Sequence, residues 1–458
     1  LRHVEKDFKV SPKVLVVGGG YAGVSAATAL AEAGITVDLL ESRGFLGGRV
    51  YSTAPTESFP APVDNGPHLL MGCYRETFKL FKRLKVTEGF HWIDPLSLSW
   101  VSPGGSKTTL DCAALPAPFH LAWGLLKSNA FPGVEKLKLA MALAPFAGHP
   151  FLIPKSVHTV ADWVRVTRQG VTTRERFWVP FCRAVMNVSP ETAPIRGLGE
   201  VLHRVFFKSR RDSALVVAAK PLSEIAFPEA LDYLQSKGAT VHFREGAQGL
   251  RLASGPFQVQ GVSGKTFTAD ALILALPVRS LEALWNSSGL PAPAEESRLG
   301  KSPILSVHLI LEKPILTGHL AGLPGANFDW VFNRNANWGY SGPGQYVSLV
   351  CSGDLDLARK PEREILVKAW EELQERFPEL SGTQPLHSKV TKEMSATFFW
   401  SEEVGALRPS VVTPFSNIFL AGDWTSTGLP ATIEGACLSG HRAATKTLSC
   451  LRSASPKP

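Results

Sequence analysis

The sequence predicts an α/β fold in which one nucleotide-type βα unit is assembled from three separated pieces of chain, with an α+β part interleaved between them. Three observations carry this. A β-branched run, Val14 to Val17, ends in glycines and is followed by a small-residue helix and a second strand. Patterns of the same kind return in the middle of the chain and again near its end. The text between these pieces is different in kind, first rich in Leu, Trp, Phe and Pro and later strand-like.

Each element has a local reason. Val14-Leu15-Val16-Val17 has no polar alternation, so it reads as a parallel strand buried on both faces. Ala22 to Ala33 reads as a helix closed by Gly34, and Ile35 to Leu40 as the next strand. From Ala113 to Pro154 the chain is apolar with occasional Lys, and Asp162 to Pro190 reads as helical. The βα character returns with a helix at Pro228 to Lys237 and a strand at Ala239 to Phe243. Phe257 to Val262 and Thr266 to Leu276 read as further strands, and Ile304 to Leu311 with Tyr346 to Val350 as strands of another sheet. Pro361 to Phe377 is an amphipathic helix, Ile418 to Ala421 a strand and Ala431 to Leu448 a helix.

Composition bounds the function. The 458 residues suit two or three compact units. Lys and Arg number 48 against 40 Asp and Glu, a net charge of +8 that suits an anionic cofactor or membrane surface. That charge is spread without runs and no nucleic-acid module is recognisable, so a nucleic-acid partner is not expected. Six cysteines without a CxxC and twelve histidines without an HExxH argue for reduced thiols and no metal site.

No stretch reaches the ~20 apolar residues of a spanning helix. The nearest, Leu139 to Pro154, is interrupted by Pro145, His149 and Pro150. Leu1 to Pro12 is polar and lacks the apolar core of a signal peptide. The first residue is not Met, so the numbering is expected to begin inside a longer precursor. The expected location is cytoplasmic with peripheral membrane contact. Pro118 to Pro154 sets Lys127, Lys136 and Lys138 beside apolar residues, a pattern that suits a helix lying on a membrane and equally suits a packed cap.

Chemistry enters with Gly18-Gly19-Gly20-Tyr21-Ala22-Gly23, a Gly-x-Gly-x-x-Gly placed between strand and helix. Gly18 allows the tight turn, Gly20 lets backbone approach a pyrophosphate, and Gly23 lets the helix pack on the strand. Tyr21 and Ala22 open that helix, whose free N–H groups face an anion. Glu41 ends the second strand at the spacing of a carboxylate that binds ribose hydroxyls, with Ser42 beside it. The fold class is therefore a Rossmann-type domain that binds a dinucleotide.

Glu41 followed by Gly47-Gly48-Arg49 resembles the second fingerprint of the flavin-containing amine oxidase and phytoene desaturase superfamily. The resemblance implies FAD, with Gly48 and Arg49 against its pyrophosphate, a role that suits a guanidinium able to pair two phosphate oxygens. Val63-Asp64-Asn65-Gly66-Pro67-His68 is similar to the segment that passes beside the isoalloxazine ring, which implies ring contacts at Gly66, Pro67 and His68. Asp64 and His68 become candidate active-site groups, or else residues that fix a tight loop. Leu420-Ala421-Gly422-Asp423-Trp424 and Gly428 to Ala436 resemble the C-terminal FAD motif. There Gly422 and Asp423 would meet the ribityl chain or pyrophosphate, and the backbone of Thr432 and Ile433 the flavin N1/O2 edge. Glu434 reads as structural. Gln248 falls where relatives often carry Val at the adenine contact.

The implied architecture places FAD-binding parts at 1–75, 216–282 and 391–450, substrate-facing parts at 76–215 and 283–390, and a tail at 451–458. A second glycine fingerprint for NAD(P)H is absent, so the electron donor would be a separate protein or a nucleotide bound otherwise.

Other segments choose a branch. Trp178 to Ala193, Asp64 to Thr77, Leu115 to Leu121, Trp330 to Arg334 and Asp423 to Thr432 resemble hydroxysqualene dehydroxylases. That resemblance implies hydride transfer from reduced FAD to an allylic carbon as water departs. A general acid is then needed, with Asp64 or His68 as candidates. Glu41 to Arg49 has a flavour of ζ-carotene desaturases, and Phe398-Phe399-Trp400 stands outside the pattern. Desaturation of a carotenoid precursor therefore stays open, as does lipid and flavin binding without turnover. The first two readings predict a long apolar isoprenoid substrate.

Overall fold

The computed structural model describes residues 12–251 and 257–454. The polar N-terminal stretch read above, up to residue 11, and the last four residues of the tail lie outside them.

A five-stranded parallel sheet forms the first core. Its order is Thr240–Phe243, Thr36–Glu41, Lys13–Val17, Ala271–Leu274 and Ile418–Leu420. The three nucleotide-type pieces thus pair directly, Val16 lying between Leu39 and Ile273. Alternation along the first strand decides the layers. Val14 and Val16 face the helices Tyr21–Glu32, Leu222–Ser236 and Ile433–Ala454. Leu15 and Val17 face an antiparallel sheet of Ala247–Arg251, Gln258–Gly261 and Thr266–Thr268. The Ser25 hydroxyl donates to the Cys437 carbonyl at 3.0 Å and ties the first helix to the last.

A second core is built on a seven-stranded sheet ordered His387–Thr397, Ser302–Leu311, Gln345–Ser352, Trp330–Asn333, Leu320–Gly322, Ser97–Val101 and Lys107–Asp111. The helix Glu362–Arg376 covers one face with Ile365, Ala369 and Leu373, a spacing of one apolar stripe. Over the other face lies a helical cap that includes Phe119–Lys127, Gly133–Leu143 and Ile195–Phe206. No helix among the described residues is long and apolar enough to cross a membrane.

Several elements differ from the expectation. The middle helix begins at Leu222, not Pro228, and carries Pro228 inside it. Leu222, Ile225, Ala226 and Phe227 bury its inner face, while Pro228 and Glu224, whose carbonyl loses a bond there, face water. Thr266 to Leu276 divides into two strands of different sheets at Ala269-Asp270, where the Asp270 carboxylate accepts from the Lys13 N–H at 2.8 Å. The helix expected from Asp162 breaks after Val166, where Arg168 adopts φ 51°, and resumes from Val171 to Met186 through a π-helical stretch at Arg174–Trp178. The final helix runs past Leu448 to Ala454 because Leu451 is buried in the same core.

Candidate functional site

The carboxyl ends of the parallel strands bring the separated motifs together. At Gly23 a Cβ would sit 1.8 Å from the Gly18 carbonyl oxygen, so helix and loop can pack only with glycine there. Tyr21 and Ala22 are buried in the first turn, and the Gly20 N-cap has no side-chain cap. A Cβ on Gly20 would meet nothing nearer than the Gly48 Cα at 3.7 Å, so the loop is open on the side the helix N-terminus faces. Glu41 is buried, one carboxylate oxygen accepting from the Gly19 N–H at 2.8 Å and the other from the Arg43 N–H at 2.7 Å and the Ser42 hydroxyl at 3.2 Å.

The second motif is stitched to the first. The Gly47 N–H donates to the Gly19 carbonyl at 2.9 Å. Gly48 holds φ +59°, and a Cβ there would lie 3.1 Å from the Gly20 Cα. Arg49 pairs with Asp423 at 2.6 Å and also donates to the Ala396 carbonyl, which joins the second motif to the C-terminal one. Gly422 receives the Ser439 hydroxyl oxygen on its N–H at 2.8 Å. Thr432 and Ile433 stand at the start of the last helix, where the Thr432 hydroxyl oxygen accepts from the Gly435 N–H at 3.1 Å. Glu434 points away, its carboxylate accepting from the N–H groups of Glu76 and Thr77 and from the Thr77 hydroxyl, a structural role.

The loop from Asp64 to His68 rests on the seven-stranded sheet. Asp64 is buried, accepts from Ser52, and lies 3.6 Å from Arg334. Burial raises its pKa, and Arg334 and Ser52 oppose that rise. Gly66 backs onto the Ser306 hydroxyl on the strand Ser302–Leu311, 3.7 Å from where a Cβ would be. Pro67 and His68 are half-buried, and His68 Nδ1 has no hydrogen-bond partner. Burial, then the Arg334 and Arg49 cations, lower the His68 pKa to about 4, so its imidazole is neutral at pH 7. Gln248 stands apart from these residues in character. It is exposed and sits at a register shift in the strand pair Ala247–Arg251 and Gln258–Gly261.

Two features of the site carry no clear local signal in the sequence. Arg408 is buried and donates to the carbonyls of Trp424, Leu429, Asp423 and Thr425 and to the Thr427 hydroxyl, holding the C-terminal loop from inside. Its guanidinium lies 4.6 Å from the Phe398 ring and 5.1 Å from Trp400, which accounts for two of the three aromatics that stood outside the pattern. The second is an apolar cavity of about 130 Å³. Leu69, Met71 and Tyr74 line it from the chain just after the Asp64–His68 loop, and Leu121, Leu125 and Leu139 from the helical cap.

A parallel sheet whose strand ends gather a glycine loop, a ribose-type carboxylate and a second helix N-terminus defines a dinucleotide-binding protein. The open face over Gly20 fits a phosphate group, and the uncapped helix behind it supplies N–H donors.

Comparison with known proteins narrows the class. The chain belongs to the family of flavin containing amine oxidoreductases, which matches residues 21–448. It is 27% identical to the hydroxysqualene dehydroxylase of Rhodopseudomonas palustris, covering 97% of this chain and 100% of that protein. It is 25% identical to the 15-cis-phytoene desaturase of Glycine max, covering 96% of this chain and 80% of that one. Among solved structures, cyclohexylamine oxidase from Brevibacterium oxydans superposes with a TM-score of 0.67 at 14% identity, covering 96% of this chain and all of that one, a likeness of fold. The protein is an FAD-dependent oxidoreductase.

Proposed function

We propose that this enzyme reduces hydroxysqualene to squalene with loss of water. The observation that carries the reading is the apolar cavity, whose lining next to the Asp64–His68 loop and through the helical cap is almost wholly carbon. Such a lining suits the hydrocarbon of an isoprenoid and disfavours a charged amine, and at about 130 Å³ the cavity holds a part of that chain. The full-length similarity to hydroxysqualene dehydroxylases supports the same choice.

FAD would lie across Gly18, Gly20 and Gly23, with Glu41 at the ribose, Arg49 and Asp423 flanking the pyrophosphate and ribityl chain, and Thr432 and Ile433 at the flavin edge. Ser42 and Gly48 line the same path, and Gln248 would meet the adenine by its backbone. Bound and reduced, FAD supplies a hydride. The chain's own residues do the rest. The Asp64–His68 loop, held at Asp64 by Arg334 and Ser52, would give the ring a fixed wall. The cap excludes water from the hydrocarbon. At pH 7 a neutral His68 has no acidic proton to give the departing hydroxyl, so Asp64, whose pKa burial raises, would be the acid that protonates it, directly or through water.

Substrate would arrive from a membrane surface. Leu121, Leu125, Leu139 and Leu143 line the cavity, while Phe119, Trp123, Leu126, Val134, Leu137 and Met141 on the outer faces of the same two helices are exposed. Lys127, Lys136 and Lys138 stand among them, an arrangement that suits an anionic bilayer.

The test incubates FAD-loaded protein, reduced with dithionite, with hydroxysqualene and looks for squalene by gas chromatography. The similarity to phytoene desaturase favours a second reading, in which oxidised enzyme converts phytoene to a more conjugated polyene. Polyene absorbance without squalene would establish that one, and tight lipid binding with neither product would leave a flavin- and lipid-binding protein.

A further inference from the structure

We propose that the Tyr74 phenol donates the hydrogen bond that seats the substrate's allylic hydroxyl at the flavin side of the apolar cavity. This rests on the reading that the substrate is a hydroxylated isoprenoid, and it names the group that distinguishes it from the hydrocarbon product.

A hydrocarbon in an apolar tube has no fixed register, because apolar contact is non-directional. Its hydroxyl is the one group that can set the register, and burying it without a partner is costly. Few lining residues offer a polar hydrogen. Arg176 is already engaged, donating to the Ala130 carbonyl and to Ser102 at 3.1 Å. The indoles of Trp100 and Trp330 have no partner, but both stand on strands of the seven-stranded sheet, whereas Tyr74 comes from the chain just after the Asp64–His68 loop. A phenol both donates and accepts, so it can bind an alcohol and still keep a second bond.

Tyr74 also has the right position. Tyr74 caps the helix Arg75–Leu84, whose Glu76 and Thr77 N–H groups donate to Glu434 in the helix Ile433–Ala454 that closes the C-terminal FAD motif. Tyr74 thus lines the cavity next to the point where its helix is tied to that motif. Asp64 and His68 are not among the cavity-lining residues. Burial, helped by Cys73 and Glu434, holds the Tyr74 phenol well above its ordinary pKa, so it remains a neutral donor across the physiological range. No covalent bond changes in this step.

The test uses the full FAD-loaded chain and follows quenching of tryptophan fluorescence, since Trp100 and Trp330 line the cavity. Wild type should bind hydroxysqualene more tightly than squalene. Tyr74→Phe should weaken hydroxysqualene about tenfold, the worth of one neutral hydrogen bond, and leave squalene unchanged. Flavin absorbance per chain checks that the variant is loaded, and the wild-type preference tests the idea even if the variant fails to fold. Equal loss for both ligands would show a packing role and overturn the proposal, as would unchanged affinity for both or a wild type without preference. Squalene formation reports separately. A wild type that prefers the alcohol but gives no squalene refutes the proposed reaction and leaves the Tyr74 contact standing.

Discussion

Arg408→Met removes the group that holds the C-terminal loop, the proposed FAD contact, from inside. The guanidinium donates to four carbonyls, those of Trp424 at 3.3 Å, Leu429 at 2.9 Å, Asp423 at 2.9 Å and Thr425. All four bonds are buried, and the loop from Asp423 to Leu429 replaces none of them with secondary structure. At about 1 kcal/mol net per bond the loss approaches ~4 kcal/mol. Methionine costs nothing to desolvate, whereas the buried cation does, so the net loss should be about 2–4 kcal/mol. Methionine fills a similar volume, which keeps a cavity term small. Urea unfolding followed by circular dichroism measures the change, and the ratio of flavin to protein absorbance measures loading. The variant should unfold earlier and lose flavin. Arg408→Lys should fall between the two, since an ammonium cannot fork to several carbonyls. A methionine variant with wild-type midpoint and full flavin would refute the argument.

Other outcomes follow from the same geometry. Gly23→Ala places a Cβ 1.8 Å from a backbone oxygen and should yield colourless protein, which an absorbance scan detects. Arg49→Glu sets two carboxylates where an ion pair of 2.6 Å now stands, and FAD content should again collapse; a yellow variant would contradict the stitched-motif account. His308 is fully buried and its pKa is lowered from 6.5 to about 3, by burial first and then by Arg334. Between those values the unfolded chain binds a proton that the native one refuses, so this residue's contribution falls as pH drops from 6.5 towards 3. Asp329, raised by burial to about 7, works in the opposite direction, so the comparison must be against wild type. His308→Gln should show a shallower acid slope of stability, and an unchanged slope would dismiss the assignment. Leu126→Glu with Leu137→Glu, both at exposed positions, should cut sedimentation with phosphatidylglycerol vesicles several-fold while flavin content stays constant; undiminished sedimentation would locate any membrane contact elsewhere.

Much of the dinucleotide domain is legible in the chain because its requirements are local. A strand buried on both faces needs an unbroken apolar run, and Val14 to Val17 supplies one. A helix that meets a strand at backbone distance needs Gly23, whatever lies elsewhere. The spacing from that loop to Glu41 is the length of one helix and one strand, and the structure does close it with a bond from the Gly19 N–H. The misread boundaries have equally physical causes. Pro228 suggests a helix start, but the buried side chains before it extend the helix through the proline. Thr266 to Leu276 looks continuous in composition although its halves serve different sheets.

The sequence by itself therefore determined the fold class, the three-piece assembly and the glycine-loop chemistry, since each rests on motifs that are local patterns of a few dozen residues or fewer. Only the tertiary structure decided what surrounds the site. Arg49 meets Asp423 across 374 positions, and the cavity takes its walls from the seven-stranded sheet, the helical cap and the chain after His68 at once. Buried charge and cavity shape arise from residues made neighbours by packing, and no local pattern encodes which distant side chain will satisfy a buried carbonyl.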